Sequence, residues 1–294
     1  MPTNITWRTS FSASALHAAE MLARGNKLAE SRLAEAIAVP AALLDQEIMA
    51  AQVPAARFWR HLVALAASIE SNRELALAAL VKTVGRGPTA DRMEPRLTAC
   101  IAGVESAFGQ CLPKLDEELP LRSGPLREQW EARGPGLLTM IGGLTEQILL
   151  AEEAQVVVVH PALGGGGEAY LPGNQVRLEG MLANPHPDLP EVVRLAWLLS
   201  QLQLDLPAIS ENIHADRLPH IAGFAMLPVV LKAAEEVELV RFSPELIERA
   251  ITVWKVRVPP NVSATSVLLQ WWETYLESRP PFRVALAALD QMFG

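Results

Sequence analysis

Residues 155–179 read QVVVVHPALGGGGEAYLPGNQVRLE, and the fold turns on how this stretch is read. Val156, Val157, Val158 and Val159 are four β-branched residues in a row, which suit extended backbone and predict a buried strand. Pro172-Gly173 has the residues a type II turn wants at its centre, because Pro presets φ and Gly accepts φ > 0. The flanking segments, Glu168 to Leu171 and Gln175 to Glu179, therefore read as strands. In the second, Val176 and Leu178 alternate with Arg177 and Glu179, which predicts one buried face and one polar face. The expectation is a sheet of two or three strands around 155–180.

Working outward, helices follow at once. Asp188-Leu189-Pro190-Glu191 is a helix start, and Val192, Val193, Leu195, Trp197, Leu198, Leu199 and Leu202 make the helix to about Leu204 apolar almost all round. Such a helix belongs in the middle of a core, and the sheet is expected to pack on it. Ser243-Pro244-Glu245 opens another helix, with Ile247, Ile251 and Trp254 as its stripe. Leu268, Trp271, Trp272 and Tyr275 mark the next. Phe282, Leu286 and Leu289 mark the last.

Upstream, the first 112 residues read as successive helices. Phe58, Leu62, Leu65 and Ile69 form one apolar stripe. Ser71-Asn72-Arg73-Glu74 has capping-box spacing, and Gly85 closes the helix it opens. Pro95 fits the first turn of a helix carrying both cysteines. Leu119 to Pro125 is the best boundary, since Pro and Gly interrupt helix and strand alike. Short helices are expected after it, one stopped by Gly134 and one starting at Pro135. The fold class is thus mainly α with a small β-element. A helical region, 1–118, precedes an α+β region, 126–294.

Composition narrows the function classes. Half of the 294 residues are hydrophobic and a fifth are charged, which is a globular balance. A net charge of -8 and no visible Lys/Arg cluster argue against a nucleic-acid partner. The N-terminal 25 residues lack the basic start and apolar run of a signal peptide. Ile221 to Leu231 is too short to span a membrane and reads as a buried helix. Asn4-Ile5-Thr6 and Asn261-Val262-Ser263 match glycosylation acceptors, which carry no meaning without secretion. Cys100 and Cys111 would lie about 16 Å apart along one helix axis, too far to bridge. They read as reduced core thiols of a cytoplasmic protein.

Reaction motifs are missing. Gly164 to Gly167, with Ala169, matches G-x-G-x-x-A, yet Pro172 and Gly173 arrive where a phosphate-binding helix should begin. No Lys-Ser/Thr follows the glycines, so they are not a P-loop. A loop joining strands, or a close backbone approach to a ligand, is the reading left. His160, His186, His214 and His220 lie close in sequence but not at metal-ligand spacings, and no metal or other cofactor is expected. His17-Ala-Ala-Glu20 lacks a second histidine. No serine sits in G-x-S-x-G.

The order of elements, a small sheet and then a buried helix, is similar to the core of zinc metallopeptidases, where that helix carries the metal ligands. Here it reads Glu191-Val192-Val193-Arg194-Leu195, without histidines. The analogy implies at most a degenerate, non-catalytic relative.

Arg194 stands out, because a guanidinium inside an apolar helix is costly unless paired. Glu191 at i−3, or Glu168 or Glu179 from the sheet, could pair with it. The leading reading is such an ion pair, or a side chain that reaches the helix edge; the functional reading is an anion-binding residue in a cleft between sheet and helix, and the candidate ligand cleft is Arg194 with Glu168, Tyr170, Asn174, Glu179 and His160. Gln201 and Asp205 read as solvent-facing or capping groups. Adjacent residues diverge by about 100° on a helix, so Trp271 and Trp272 would not both face one core. Either one of them serves a protein partner or a second copy of the chain, or both are buried between layers. The leading expectation is a non-catalytic interaction or self-association module. The alternative is a ligand-binding protein or hydrolase-like enzyme built on 156–204.

Overall fold

The computed structural model describes residues 3–181, 184, 186–260 and 262–294. The acceptor site at Asn261 lies outside the described residues. In chain order the elements are β1 (Asn4–Thr9), α1 (Phe11–Ala23), α2 (Ser31–Ala50), α3 (Ala55–Leu65), α4 (Asn72–Val84), α5 (Pro88–Cys111) and α6 (Leu115–Leu144). Then come β2 (Glu153–Val159), β3 (Gly167–Tyr170), β4 (Gln175–Glu179), α7 (Glu191–Leu199) and α8 (Pro207–Ser210). The chain closes with α9 (Leu218–Glu236), α10 (Pro244–Val253), α11 (Ala264–Ser278) and α12 (Phe282–Met292). The protein is mainly α with one small mixed sheet.

The sheet has four strands among the described residues, one or two more than expected, in the order β1-β2-β4-β3. The extra strand comes from the N-terminus: β1 pairs parallel with β2, Asn4 opposite Glu153 and Thr9 opposite Val158. Asn-Ile-Thr-Trp-Arg-Thr alternates, but it lies about 145 residues from its partner and no local turn announces it. β2 also pairs parallel with β4, and β3 returns antiparallel on β4. Val156 to Val159 are buried in the central strand, as an unbroken β-branched run demands of a strand covered on both faces. The β3–β4 connection is a 3₁₀ turn, Leu171–Gly173, followed by Asn174 at φ 45. The left-handed residue is therefore Asn174 and not Gly173. Gly173 is required for space, since a Cβ there would sit 3.0 Å from the Tyr170 ring.

α7 lies against β3 and β4, α6 against β1 and β2, and α1 against β2. α9 runs among α6, α7, α10, α11 and α12. It is longer than the apolar core read from the sequence, and long and apolar enough to cross a membrane by length and composition. However, 78% of that window is buried within the protein. α9 meets α7 at Gly223, whose carbonyl accepts from the Trp197 indole N–H at 2.8 Å.

Prolines mislead in the first half. α6 continues from Leu115 through Pro120, Pro125 and Pro135, so the expected boundary at 119–125 and the stop at Gly134 both fall inside one helix. Each proline forfeits one backbone hydrogen bond. Burial of Leu119, Leu126, Trp130, Leu137 and Ile141 along the helix offsets that loss. Gly134 is where the Trp130 ring lies; a Cβ would meet the ring at 2.4 Å. Likewise Pro95 is interior to α5, and Pro88 takes the first turn. Ser71 does cap α4, accepting from the Glu74 N–H at 3.4 Å, and Gly85 follows at φ 81. α7 ends at Leu199, before the expected Leu204. Cys100 and Cys111 are free and half-buried rather than in the core.

Candidate functional site

The charged residues of β4 are the surprise. All five residues of the strand are buried, including Arg177 and Glu179, which alternation had placed on a polar face. Both faces of β4 are covered, so each charge must find partners inside the protein.

Glu179 finds them in the glycine-rich loop. Its Oε1 accepts from the Leu163 N–H at 2.9 Å, and its Oε2 accepts from Gly165 at 2.8 Å and Gly166 at 3.1 Å. His17, from α1, closes the cage with Nε2 at 2.8 Å from Oε1. Burial alone would raise this carboxyl's pKa, but the His17 imidazole and the backbone N–H groups hold it well below the usual carboxylate range. The N–H groups of Leu163, Gly165 and Gly166 thus form an anion nest already filled by the protein's own carboxylate. Gly165 stands at φ 137, and a Cβ there would meet the Val253 carbonyl at 2.7 Å. Glycine at this position lets the segment after α10 lie on the loop.

Arg194 is sealed, at 0% exposure. Nη1 donates to the Gly166 carbonyl at 2.9 Å, and Nη2 donates to the Glu179 carbonyl at 2.8 Å and pairs with Glu191. It bolts α7 to the loop and to β4. Arg194 and Glu179 therefore come together, in one interior network that includes His17.

A second network faces outward. Arg177 Nη2 donates to Glu20 Oε2 at 3.2 Å and to Glu168 Oε2 at 2.9 Å. Glu20, fully buried, also pairs with Arg24. Arg60 from α3 donates through Nε to Glu168 Oε1 at 3.2 Å. Burial alone would raise the Glu168 pKa, but Arg177, Arg24 and Arg60 bring it down to about 2. Beyond Glu168 opens a cleft of about 630 Å³. The C-terminal end of α1, α3, β3, α7, the first turns of α9 and residues 251–257 form its walls.

The charge of that cleft is opposite to the charge of the chain. Arg24, Lys27, Arg60, Lys255 and Arg257 line it, with Glu168 the single carboxylate among the described lining residues. Lys27, Lys255 and Arg257 make no ion pair among the described residues, and Lys255 is held at φ 57. That left-handed conformation ends α10, where the Val256 N–H donates back to the Ile251 carbonyl at 3.0 Å, and it turns the 255–257 segment toward the cleft. His220, on the first turn of α9, also lines the cleft; desolvation first, and then Arg60 and Arg257, lower its pKa. Gln201, expected at the surface, is buried and joins the wall with Trp197 and Trp254. The two indoles stack with centroids 5.2 Å apart.

The remaining candidates go elsewhere. Tyr170 meets His61, its hydroxyl 2.8 Å from Nδ1. Desolvation and then Lys82, Arg60 and Arg57 lower the His61 pKa to about 4. Asn174 accepts from Gln203 at 3.3 Å. His160 is buried beside Glu30, with Nε2 3.3 Å from its carboxylate, and Arg122 lies on its other nitrogen. Of the six candidates only Glu168 lines the cleft. His17 and Glu20 read from the sequence only as half of a metal motif, and Arg60 and the cations of 255–257 are not among the site residues read from it. The available signal was on α1, where His17 and Glu20 interrupt an otherwise small and apolar helix. No group of His, Cys, Asp and Glu among the described residues could hold a metal ion. Trp271 and Trp272 are both buried, at 3% and 2% exposure. The Trp271 N–H donates to the Ala285 carbonyl at 2.7 Å, and both rings stack on Tyr275.

No known protein family, curated protein or solved structure matches this chain.

Proposed function

We propose that this protein binds a small anionic molecule in the cleft bounded by α1, α3, β3, α7, α9 and residues 251–257. One observation carries the reading: five cationic side chains and one carboxylate line this cleft, in a chain with 25 Lys and Arg against 33 Asp and Glu. Folding does not gather unpaired like charges without a cost in mutual repulsion, and a bound anion removes that cost. The lone carboxylate is itself engaged by Arg60 and Arg177, so it does not neutralise the free cations. A concave site with convergent polar groups is the usual form of a small-molecule pocket.

An interaction or self-association module remains the competing proposal. It rests on apolar helices, exposed aromatics and the lack of a catalytic motif, and burial of both Trp271 and Trp272 weakens the second of these. A cytoplasmic setting is part of the proposal, and two unbridged thiols suit a reducing compartment.

Isothermal titration against a panel of inorganic and organic anions tests the function. Binding in the millimolar range or tighter, abolished in the charge-reversed double variant Lys255→Glu, Arg257→Glu, is the expected result. Absence of binding by every anion in the wild-type chain would overturn it.

A further inference from the structure

The side chains of the cleft divide into those already neutralised and those held in reserve. Arg24 is tied back to Glu20, and Arg60 to Glu168. Lys27, Lys255 and Arg257 have no such partner among the described residues, and all three are exposed. The Val253–Arg257 turn that carries two of them is braced from below by Gly165. The end of α9 that meets the cleft is its N-terminal end, with Pro219, His220 and Gly223 in the wall. A 19-residue helix presents the positive end of its dipole there. Its first N–H groups are spent on the preceding turn, since Leu218 donates to His214, and His220 and Ile221 donate to Arg217. That end supplies field rather than hydrogen bonds. The donor at this wall must be a side chain, and the His220 imidazole makes no hydrogen bond among the described residues.

We propose that the ligand of this cleft is an oxyanion carrying two or more negative charges, held by Lys27, Lys255 and Arg257, with His220 becoming a protonated donor to it. The proposal rests on the anion-binding reading above and names its ligand class. Three unneutralised cations are matched by a di- or trianion and left in mutual repulsion by a monoanion. Phosphate esters and polycarboxylates share this chemistry.

His220 is faced by Arg24 after α1, Arg60 on α3, Arg257 after α10 and Glu168 on β3. Burial first, and then Arg60, Arg257 and Arg24 against the one carboxylate of Glu168, disfavour protonation of the imidazole while the cleft is free. Glu168 stays ionised throughout the neutral range and does not titrate against it. A multiply charged anion reverses the balance and raises the affinity of His220 for a proton. Binding therefore takes up a proton, and affinity rises as pH falls through the upper part of the imidazole range.

Sulfate is the probe, because it is a dianion at every pH used, and nitrate is its monoanionic control. Titration calorimetry at pH 6 to 8, in buffers of different ionisation enthalpy, reads affinity and proton uptake together. Sulfate is expected to bind about tenfold or more tighter than nitrate, consistent with one additional charge pair at partly screened distance. Sulfate binding is expected to tighten toward pH 6 with net proton uptake, and His220→Gln to lose that uptake. Lys255→Ala with Arg257→Ala, both exposed positions, is expected to weaken sulfate by about tenfold or more. Equal binding of nitrate and sulfate overturns the multivalent class while leaving an anion site. Proton uptake that survives His220→Gln overturns the role of His220. Failure of every anion to bind removes the cleft reading itself, together with this proposal.

Discussion

Glu179 and Glu168 carry the same carboxylate on neighbouring strands of one hairpin, and each meets an arginine. Glu179 ends inside a nest of backbone N–H groups with His17, and Arg194 sits behind it with carbonyl oxygens and Glu191 as partners. Water reaches neither group. Glu168 is 23% exposed, and its arginines border an open cleft. The first network neutralises its charges inside the protein, although His17 Nδ1 and Arg194 Nε make no hydrogen bond among the described residues, and it holds the loop, β4 and α7 together. The second leaves cations over. A buried charge cluster therefore marks a candidate site where cations are left unpaired beside an open cleft, and Arg194, the most conspicuous residue in the chain, belongs to the sealed cluster.

Four experiments would break or sharpen that contrast. The largest effect is expected from Glu179→Ala, which strands three N–H groups and the His17 imidazole in the interior. Unfolding in urea should show a loss of about 3–5 kcal/mol. A loss under about 1 kcal/mol would mean that the inner network is not structural. Next comes Gly165→Ala, where a Cβ must both adopt φ 137 and clear the Val253 carbonyl. A destabilisation of about 2 kcal/mol or more is expected, and weaker anion binding with it, because the 253–257 turn must shift. Unchanged anion affinity would uncouple the loop from the cleft.

Glu168→Gln should cost less, about 1 kcal/mol, since solvent screens the pair and Arg177 keeps Glu20. The folded pKa of Glu168 is depressed to about 2. Its contribution is therefore present above the unfolded value, about 4.3, and lost as pH falls from there toward the folded value. Wild type and variant should converge in stability over that acid window, and a constant gap down to pH 2 would contradict the pairing. The smallest effect is spectroscopic. His61 should titrate by NMR with a midpoint of about 4, where desolvation and nearby cations place it. A midpoint at the ordinary value, about 6.5, would show that burial and the Lys82, Arg60 and Arg57 charges do not act on it as their placement implies.

Much of the architecture was legible along the chain. The valine run, the capped helix at Ser71, the apolar α7 and α9, and the helices from Ser243 onward all rest on local periodicity and capping, which a window of ten or so residues contains. What local reading lost was long-range. β1 reaches across to β2, and nothing within either segment names the other. Alternation in β4 was read as a solvent face, because a strand does not reveal what covers it; α1 supplied His17 and Glu20 to that face instead. Prolines in α6 promised breaks that burial of its leucines overrode.

The sequence by itself determined the elements and their class: a mainly helical chain, one short β-rich interruption, and an arginine too costly to leave unpaired. Only the tertiary structure decided that the glycine loop encloses a carboxylate of its own chain, and that Arg194 is sealed beside it. It also decided that Arg24, Lys27, Arg60, Lys255 and Arg257, drawn from three separate parts of the sequence, line one cleft. The physical reason is that propensity, capping and periodicity act over a few residues. Charge complementarity and solvent access depend on which distant segments are brought within a few ångströms of each other, and no local pattern encodes that.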